Sequence, residues 1–286
     1  LQAVNPVITG SFTATGLVTN SSLANMASTY FKCRKTASTG APEDCSPAEV
    51  NQILNTTGVG VYNVANYGAV GDGQFASDMS CTNGSSIVTS GTPHWASTDV
   101  NKYILLENCA NGTAPLPATI IAVNSSTNIT ISTNAGSTQT NKRVQWGTLN
   151  STAFSNAIND ARGKGYVFIP CGTYITSPLN ATNWGGGAII GAGGSYQCVV
   201  LTPNDNFNVM VDMTGSPAFR LSNLQIGFYP QIGIGNAGYV VAPSAAVAGI
   251  DNLYITNVFV QGFFTAAACY RDRIASSHFI SNHCWN

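Results

Sequence analysis

Two segments in the C-terminal part of the chain repeat one pattern of apolar residues, with an asparagine at the same place in both. The matched pairs are Leu221 with Ile255, Asn223 with Asn257, Leu224 with Val258 and Ile226 with Val260. The copies lie about 34 residues apart, and a looser copy from Ile274 to Ile280 follows after about 20 more. Short apolar strands that recur at such intervals are typical of a solenoid, in which each pass of the chain stacks on the one before.

The repeated pattern runs up to the last residue without a segment that could close the stack. A free solenoid end exposes unpaired strand edges and normally carries a cap. We therefore expect the 286 residues to be an N-terminal portion of a longer protein.

Charged side chains make up only 8% of the chain, against roughly 25% in average proteins, and Gly, Ser, Thr and Asn fill the polar positions. The 11 basic and 12 acidic residues nearly cancel and do not cluster, which argues against a nucleic-acid partner. No apolar stretch approaches the roughly 20 residues of a membrane-spanning helix, so we expect no membrane insertion. The composition instead favours strands whose polar residues bond along a stack.

Eight cysteines and three histidines lack the C-x-x-C spacing of a zinc site, and we expect no metal or other cofactor. The sequential neighbours are Cys33 with Cys45, Cys81 with Cys109, Cys171 with Cys198, and Cys269 with Cys284. Disulfides would indicate an extracellular protein, whereas free thiols would serve as small buried apolar groups. Spacing leaves the pairing open. We predict a bond between Cys33 and Cys45, because Gly40 and Pro42 can turn the chain back between them.

Residues 1–57 are predicted to form a stalk or connector module. Its first half is rich in Thr, Ser and Asn and has no core of its own, so we expect it to need partners. Ser46 can cap a helix that starts at Pro47, Glu49 completes a capping box, and an apolar stripe continues to Leu54. A short helix is therefore predicted at the end of this module.

The segments Asn20–Met26, Thr39–Glu43 and Pro47–Leu54 together resemble a short module of bacteriophage tail fibres. The chain departs from that module at Cys33 and Cys45, where Gly and Leu are more usual. The resemblance implies an extracellular protein of the virion tail. It also implies a homotrimer that contacts other tail or baseplate proteins and a host surface polysaccharide.

A glycine-rich motif follows at Val61–Gly73. Its first part predicts a strand up to Tyr67, and its glycines supply the unusual backbone angles of a tight loop. Those glycines are Gly68, Gly71 and Gly73. A phosphate-binding loop is disfavoured, because neither Lys-Ser/Thr nor a helix follows. The motif resembles the first strand of pectate-lyase-like β-helix proteins, in which the residue matching Asp72 shapes a turn and is not catalytic.

The second half of the same signature comes much later in the chain. A helix is predicted over residues 152–162, capped by Ser151–Thr152 and ended by Gly163. Its apolar face comprises Ala153, Phe154, Ala157, Ile158 and Ala161. Strand-like segments follow at Tyr166–Tyr174 and Ala188–Gly194. This order resembles the helix, the strand-Pro-x-Gly-Thr-Tyr segment and the Gly-Ala-Gly turn of the family.

The resemblance implies an all-β chain with a right-handed parallel β-helix and an N-terminal capping helix. The β-helix would comprise residues 58–74 and 148–286. Family members often carry acidic residues just before the capping helix, where this chain has Leu149 and Asn150. Any role of those acids therefore does not carry over.

Residues 75–147 interrupt the signature and are predicted to form an inserted small β-domain. Strand-like runs occur at Ser86–Ser90, Tyr103–Glu107, Ala118–Val123 and Asn128–Ser132. Short alternating strands of this kind suggest a small antiparallel barrel or sandwich. An insertion with a segment like Ser97–Lys102 also resembles phage versions of the β-helix.

Asp251 and Asp272 are the catalytic candidates for cleavage of a polysaccharide by carboxylates. Asp205 and Asp212 could also meet across turns. Turn and strand-end positions are the alternative for all four, since Asp favours such positions. The chain has no polygalacturonase motif, no acid cluster for Ca²⁺ with a nearby Arg, and no Gly-x-Ser-x-Gly elbow.

Trp95, Trp146 and Trp184 are the glycan-binding candidates, because an indole ring can stack on a sugar. The alternative is that each is an isolated Trp packed into the core.

Three functions are compatible with these sequence features. A virion tail fibre or tailspike component that adheres to a host-surface glycan is the first, with any depolymerase activity outside this segment. The alternative is a secreted polysaccharide lyase or glycoside hydrolase of the pectate-lyase-like superfamily, and a bacterial surface adhesin is the third. The tail-fibre-like module favours the first.

Overall fold

The computed structural model describes much of the chain between residues 60 and 227 and shorter pieces on either side. The described residues are 30–33, 43–47, 49–50, 60–193, 198–205, 209–227, 239–242, 253–261, 268–270, 278–280 and 282–285. The chain divides into two compact units, residues 1–54 and 55–286. The architecture is all-β, as predicted.

The described part of the first unit contains a small hairpin. Strand β1 (Phe31–Cys33) pairs antiparallel with β2 (Glu43–Cys45). Cys33 and Cys45 are disulfide-bonded, with their Cα atoms 5.9 Å apart. The predicted bond is confirmed, and it closes the loop between the two strands.

A capping box follows the hairpin. The Ser46 backbone N–H donates to Glu49 Oε2 over 2.8 Å, and the Glu49 N–H donates to Ser46 Oγ over 3.3 Å. Pro47, Glu49 and Val50 have helical backbone, which agrees with the predicted start. The rest of this helix and the tail-fibre-like segment before Tyr30 lie outside the described residues.

The second unit begins with a strand that is shorter than predicted. Strand β3 (Gly60–Asn63) is followed by a 3₁₀ turn over Val64–Tyr67. Asn63 Oδ1 accepts a hydrogen bond of 3.0 Å from the Ala65 N–H, and this bond starts the turn in place of further strand. Gly68 ends the turn with a left-handed φ of 90°, as predicted.

The other two glycines of this motif, Gly71 and Gly73, are needed for lack of space and not for the predicted backbone angles. A Cβ atom on Gly71 would lie 2.8 Å from the Cα of Gly172, and one on Gly73 would lie 2.7 Å from Thr173 Cγ2. The Gly73 N–H donates to the Thr173 carbonyl over 2.9 Å. These glycines permit the close approach of two backbone segments and do not supply a left-handed angle.

Residues 74–147 form a closed antiparallel barrel. Its strands are β4 (Gln74–Cys81), β5 (Ile87–Ser90), β6 (Tyr103–Leu106), β7 (Leu116–Ser125), β8 (Asn128–Ile131) and β9 (Gln139–Gly147). The order is β4-β5-β8-β7-β6-β9, and β9 returns to pair with β4. Four strands overlap the predicted runs, whereas β4 and β9 are absent from the prediction. Shifts in the β4–β9 register break their alternation.

Helix α1 (Ser151–Ala161) follows the barrel. Its predicted apolar face is confirmed, since Ala153, Phe154, Ala157, Ile158 and Ala161 are all buried. The predicted capping is wrong. Asn150 holds the N-cap position, and Ser151 Oγ instead accepts a hydrogen bond of 2.8 Å from the Ser177 N–H. Gly163 takes a left-handed φ of 69° just beyond the helix.

The strands described after α1 are all parallel. They are β10 (Gly165–Ile169), β11 (Gly172–Thr176), β12 (Leu179–Asn180), β13 (Ala188–Gly191), β14 (Val199–Pro203), β15 (Val211–Asp212), β16 (Arg220–Ile226), β17 (Tyr239–Ala242), β18 (Tyr254–Gln261), β19 (Ala268–Tyr270), β20 (His278–Ile280) and β21 (His283–Trp285). We call these strands, with β3, the parallel region.

The parallel region contains three rows of paired strands. The first row is β3, β10, β13, β16, β18 and β20. The second is β11, β14, β16, β18 and β21. The third is β12, β15, β17 and β19. Because β16 and β18 belong to two rows, the strands curl from one row into the next.

The predicted repeat is confirmed residue by residue in β16 and β18. The register pairs are Leu221 with Ile255, Leu224 with Val258 and Ile226 with Val260. Asn223 and Asn257 have left-handed φ angles of 58° and 54°. Asn257 Nδ2 donates to Asn223 Oδ1 over 3.0 Å, so the two strands bend at the same place and are joined there.

The looser third copy is wrong in its spacing. Ile280 pairs with Thr256, and Asn282 Oδ1 accepts a hydrogen bond from the Val258 N–H at a separation of 24 residues. Ile274 lies outside the described residues. The short strand β20 carries too little pattern to define its register from sequence.

The described residues of the second unit form two separate hydrophobic cores. One fills the barrel and contains the disulfide Cys81–Cys109, with Cα atoms 6.4 Å apart. The other lies between the parallel strands and α1, whose Phe154 ring meets Tyr174 edge-on at 5.6 Å. The disulfide Cys171–Cys198 joins the residues just before β11 and β14, with Cα atoms 4.7 Å apart. The side chains of the predicted pair Cys269–Cys284 lie outside the description.

Candidate functional site

The three predicted glycan-binding tryptophans are buried. Trp95, Trp146 and Trp184 are each 3% exposed. Trp95 and Trp146 pack together in the barrel with ring centroids 6.1 Å apart, and Trp184 packs against Phe219 at 5.6 Å. None of the three presents a ring face on which a sugar could stack, so the alternative of core packing describes them.

The predicted catalytic residues Asp251 and Asp272 lie outside the described residues. Asp212 stabilises a turn, which was the alternative to a catalytic role. Its Oδ1 accepts hydrogen bonds from the Thr214 N–H at 3.0 Å and from Thr214 Oγ1 at 2.6 Å. Asp205 lies close enough to Tyr103 for its charge to act on that phenol, and burial together with this charge raises the pKa of Tyr103.

Asp72 joins the two ends of the barrel insertion. It accepts hydrogen bonds from the Thr148 N–H at 2.8 Å and from Thr148 Oγ1 at 3.1 Å. Lys102 Nζ lies 3.1 Å from Asp72 and 3.0 Å from Asp99. Burial opposes the charge on Asp72, but Thr148 and Lys102 outweigh it and hold the pKa of the carboxyl below its usual value. This agrees with the structural role expected for Asp72.

The outer face of the barrel packs against the parallel region. Leu105 on β6 and Gln145 on β9 are register partners. Both side chains are buried, although neither belongs to the barrel core. Ile175 on β11 and Thr202 on β14 are also register partners. Both are buried, and neither belongs to the core of the parallel region. Gln145 Nε2 donates to the Pro203 carbonyl over 2.5 Å. The two faces therefore meet in a junction that excludes solvent.

A cluster of Asp78, Thr92 and His94 has the residue types of a catalytic triad but not its geometry. His94 Nε2 lies 2.8 Å from Asp78 Oδ1 and 2.9 Å from Thr92 Oγ1. A triad places the nucleophile and the carboxylate on opposite ring nitrogens, so that one proton can be relayed. Both partners here meet the same nitrogen, and the cluster instead ties β4 to the segment after β5.

A polar cleft of about 150 Å³ lies beside α1. Its polar lining comes from Ser151, Ser155, Asn159, Thr176, Ser177 and Asn180. Several of these groups bond one another, as Ser151 Oγ and Ser177 Oγ do at 2.8 Å. The cleft has no charged side chain in its lining, and the Ser151–Ser177 contact attaches α1 to the segment after β11.

The outward face of β16 and β18 carries an arginine stacked on a tyrosine. Leu221 and Ile255 lie in the core, so their neighbours Arg220 and Tyr254 point outward. The Arg220 guanidinium carbon lies 5.3 Å from the centre of the Tyr254 ring. Arg220 is exposed and Tyr254 is half-buried. The pair therefore presents an exposed charge beside an aromatic ring on the parallel strands.

Arg220 and Tyr254 are absent from the predicted site residues, although the sequence carries a signal for them. Each residue stands immediately before a copy of the repeated pattern, at Leu221 and Ile255 respectively. Alignment of the copies therefore places them side by side on adjacent strands. The repeat is defined by its apolar residues, and the outward positions beside them carry no motif.

No family model matches the chain, and no curated protein and no solved structure matches it either. Among the described residues, no three His, Cys, Asp or Glu side chains come together as a metal site. No helix in that same part of the chain is long and apolar enough to cross a membrane.

Proposed function

We propose that the chain is part of an extracellular bacteriophage tail fibre or tailspike, built on a right-handed parallel β-helix, that adheres to a host surface polysaccharide. The order of its elements carries the proposal. Strand β3 comes first, then the barrel, then α1, and then parallel strands in register. The motifs that resemble the pectate-lyase-like signature occur in the same order.

Two further observations support an extracellular scaffold. The disulfides Cys33–Cys45, Cys81–Cys109 and Cys171–Cys198 are typical of oxidising compartments. Strands that stack in register, with each pass contacting its neighbours, build an extended support, which suits a fibre or spike. In this proposal the chain assembles as a homotrimer with other tail or baseplate proteins.

We place any depolymerase activity of the protein outside this segment. The carboxylates Asp72, Asp78 and Asp212 hold turns and joints in the fold through hydrogen bonds to nearby backbone and hydroxyl groups. Cleavage of a glycoside requires two carboxyl groups with separated pKa values on either side of one bond. No observation in the described residues favours the alternative of a lyase or hydrolase over adhesion.

Assembly is tested by light scattering on the folded chain. A homotrimer has three times the 29.8 kDa mass of one chain. A clean monomer at micromolar concentration would contradict the tail assignment.

Adhesion is tested by competition. The purified chain, added to cells of a susceptible host before the phage, should lower phage adsorption by occupying the same glycan. A host strain that lacks the surface polysaccharide is the control, and the chain should not bind it. Equal binding to both strains would contradict glycan adhesion.

The absence of cleavage is tested by assays for reducing sugars and unsaturated uronates released from host capsule or lipopolysaccharide. We expect no turnover by residues 1–286. Turnover that disappears on Asp251→Asn or Asp272→Asn would show that this segment is catalytic.

A further inference from the structure

The Arg220–Tyr254 pair has the features of a binding site for an anion. The guanidinium lies over the Tyr254 ring, and an arginine in this arrangement can still donate hydrogen bonds through its N–H groups. The fork of donors on arginine matches a planar carboxylate, which accepts two parallel hydrogen bonds. A guanidinium held on a ring also loses less side-chain entropy on binding than a mobile one.

Among the described residues, nothing neutralises the guanidinium or covers it. Ala188, the register partner of Arg220 on the other side, is small and uncharged. No carboxylate in the described part of the chain forms an ion pair with Arg220. Charge is scarce in this protein, so an exposed arginine contributes strongly to the local potential.

Hydroxyl groups lie next to the pair on the same face. Ser222 and Thr256 are register partners, two residues further along β16 and β18, and both are partly exposed. Residues two apart on a strand are separated by roughly 7 Å, about the width of a sugar ring, and adjacent strands by roughly 4.8 Å. A sugar whose carboxylate meets Arg220 would therefore place its ring hydroxyls beside Ser222 and Thr256.

We propose that Arg220 and Tyr254 form a binding site for a carboxylate-bearing sugar of a surface glycan. Arg220 binds the carboxylate, Tyr254 holds the guanidinium in place, and Ser222 and Thr256 bond the sugar hydroxyls. The inference rests on the proposed adhesion and specifies its ligand as an acidic polysaccharide. Since the attraction is between charges at an exposed site, binding weakens as salt increases.

Calorimetric titration of the full chain with polygalacturonate and polysialic acid tests the site. Each polymer is compared with its carboxyl-reduced form, which keeps the sugar backbone and lacks the charge. We expect at least one acidic polymer to bind about tenfold or more tightly than its reduced form, because hydrogen bonds to a charged group are strong. Equal binding of the two forms would overturn the proposal.

Variants of the pair locate the site. Arg220→Ala should weaken binding of the acidic polymer about tenfold or more, and Arg220→Lys should weaken it less, since it keeps the charge without the fork. Tyr254→Ala should also weaken binding, through loss of the support for the guanidinium. Lys164→Ala removes an exposed cation elsewhere and should leave binding unchanged. An effect of Lys164→Ala equal to that of Arg220→Ala would indicate unspecific attraction and overturn the site.

Adsorption to host cells separates this inference from the proposed function. If the chain adsorbs to cells and Arg220→Ala does not weaken it, the site is wrong while adhesion stands. If uronate binding depends on Arg220 but the chain does not adsorb to host cells, the site stands and the tail function is wrong. Loss of the trimer in Arg220→Ala, with no loss of glycan binding, would mark the face as a subunit contact and overturn the site.

Discussion

The barrel and the parallel region differ in whether consecutive strands pair with each other. In the barrel, β4 pairs with β5, β6 with β7 and β7 with β8, and the strands of each pair follow one another in sequence. In the parallel region, strands pair with those of another pass, as Asn223 and Asn257 do across 34 residues. A parallel pair therefore forms only after a long intervening segment is ordered, which costs chain entropy. A hairpin closes a short loop and loses less entropy.

The two regions also treat their strand edges differently. The barrel closes on itself, because β9 pairs with both β4 and β6. Among the described strands, β3 pairs with β10 alone, and α1 packs against both. An uncovered edge strand invites pairing with other chains. The barrel thus has no free strand edge, whereas α1 packs on the strand that ends the first row of the parallel region.

Replacing Phe154 by Ala should have the largest effect, and it should fall on the parallel region. The substitution removes a buried ring from under α1, and we expect the free energy of unfolding of this region to fall by about 3 to 5 kcal/mol. Hydrogen exchange should speed up in β3 and β10 and stay unchanged in β5 and β8. Ser155→Ala, at an exposed position of the same helix, is the control. Equal loss of protection in the barrel would show that the regions are not independent.

The two disulfides of the second unit allow a matched comparison. Cys81–Cys109 closes 28 residues and Cys171–Cys198 closes 27, so loop entropy assigns each about 3.6 kcal/mol. Cys81 and Cys109 are buried in the barrel core, whereas Cys171 is exposed. Replacing both cysteines of the barrel pair by Ala should therefore cost more, through lost packing.

Urea unfolding of the two double variants measures this difference. If both cost the same, loop closure alone explains the disulfides and burial adds nothing.

Asn257 should show a smaller effect that is specific to the bend of the parallel strands. Asn257→Ala loses the hydrogen bond to Asn223 and places an Ala at a φ of 54°, and we expect a cost of about 2 kcal/mol. Asn257→Gly loses the bond but tolerates the angle, so it should cost about 1 kcal/mol. Denaturant unfolding compares the two. A Gly variant as unstable as the Ala variant would mean that the backbone angle contributes little.

Asp78 should show the smallest effect, a loss of barrel stability as the solution becomes acidic. Burial opposes its charge, but Thr92 and His94 outweigh burial and hold the pKa of Asp78 below its usual value. The folded state thus binds fewer protons, so the contribution is complete above about pH 4 and is lost as pH falls through the lower folded value. The side chain is 27% exposed, so we expect under about 1 kcal/mol.

Urea unfolding between about pH 2 and pH 6 tests this sign. Asp78→Asn should remove this part of the pH dependence, and Thr92→Val should move the loss to higher pH by removing a donor. An Asp78→Asn variant whose stability changes with pH as much as the unaltered chain does would contradict the assignment.

Features with a period or a repeat were readable from the sequence. The buried face of α1 was predicted in full, because apolar residues that recur every three or four positions define one side of a helix. The register of β16 on β18 was also predictable, since both strands carry the same pattern around Asn223 and Asn257. In both cases the information lies within one segment or in a comparison of two similar segments.

Tertiary structure alone decided the features that depend on what a residue meets from elsewhere in the chain. The need for glycine at 71 and 73 arises because Gly172 and Thr173 approach them, about a hundred residues later along the chain. The burial of Trp95 and Trp146 arises from closure of the barrel around them. The identity of a residue determines its local conformational preference, whereas its tertiary contacts depend on how the whole unit packs.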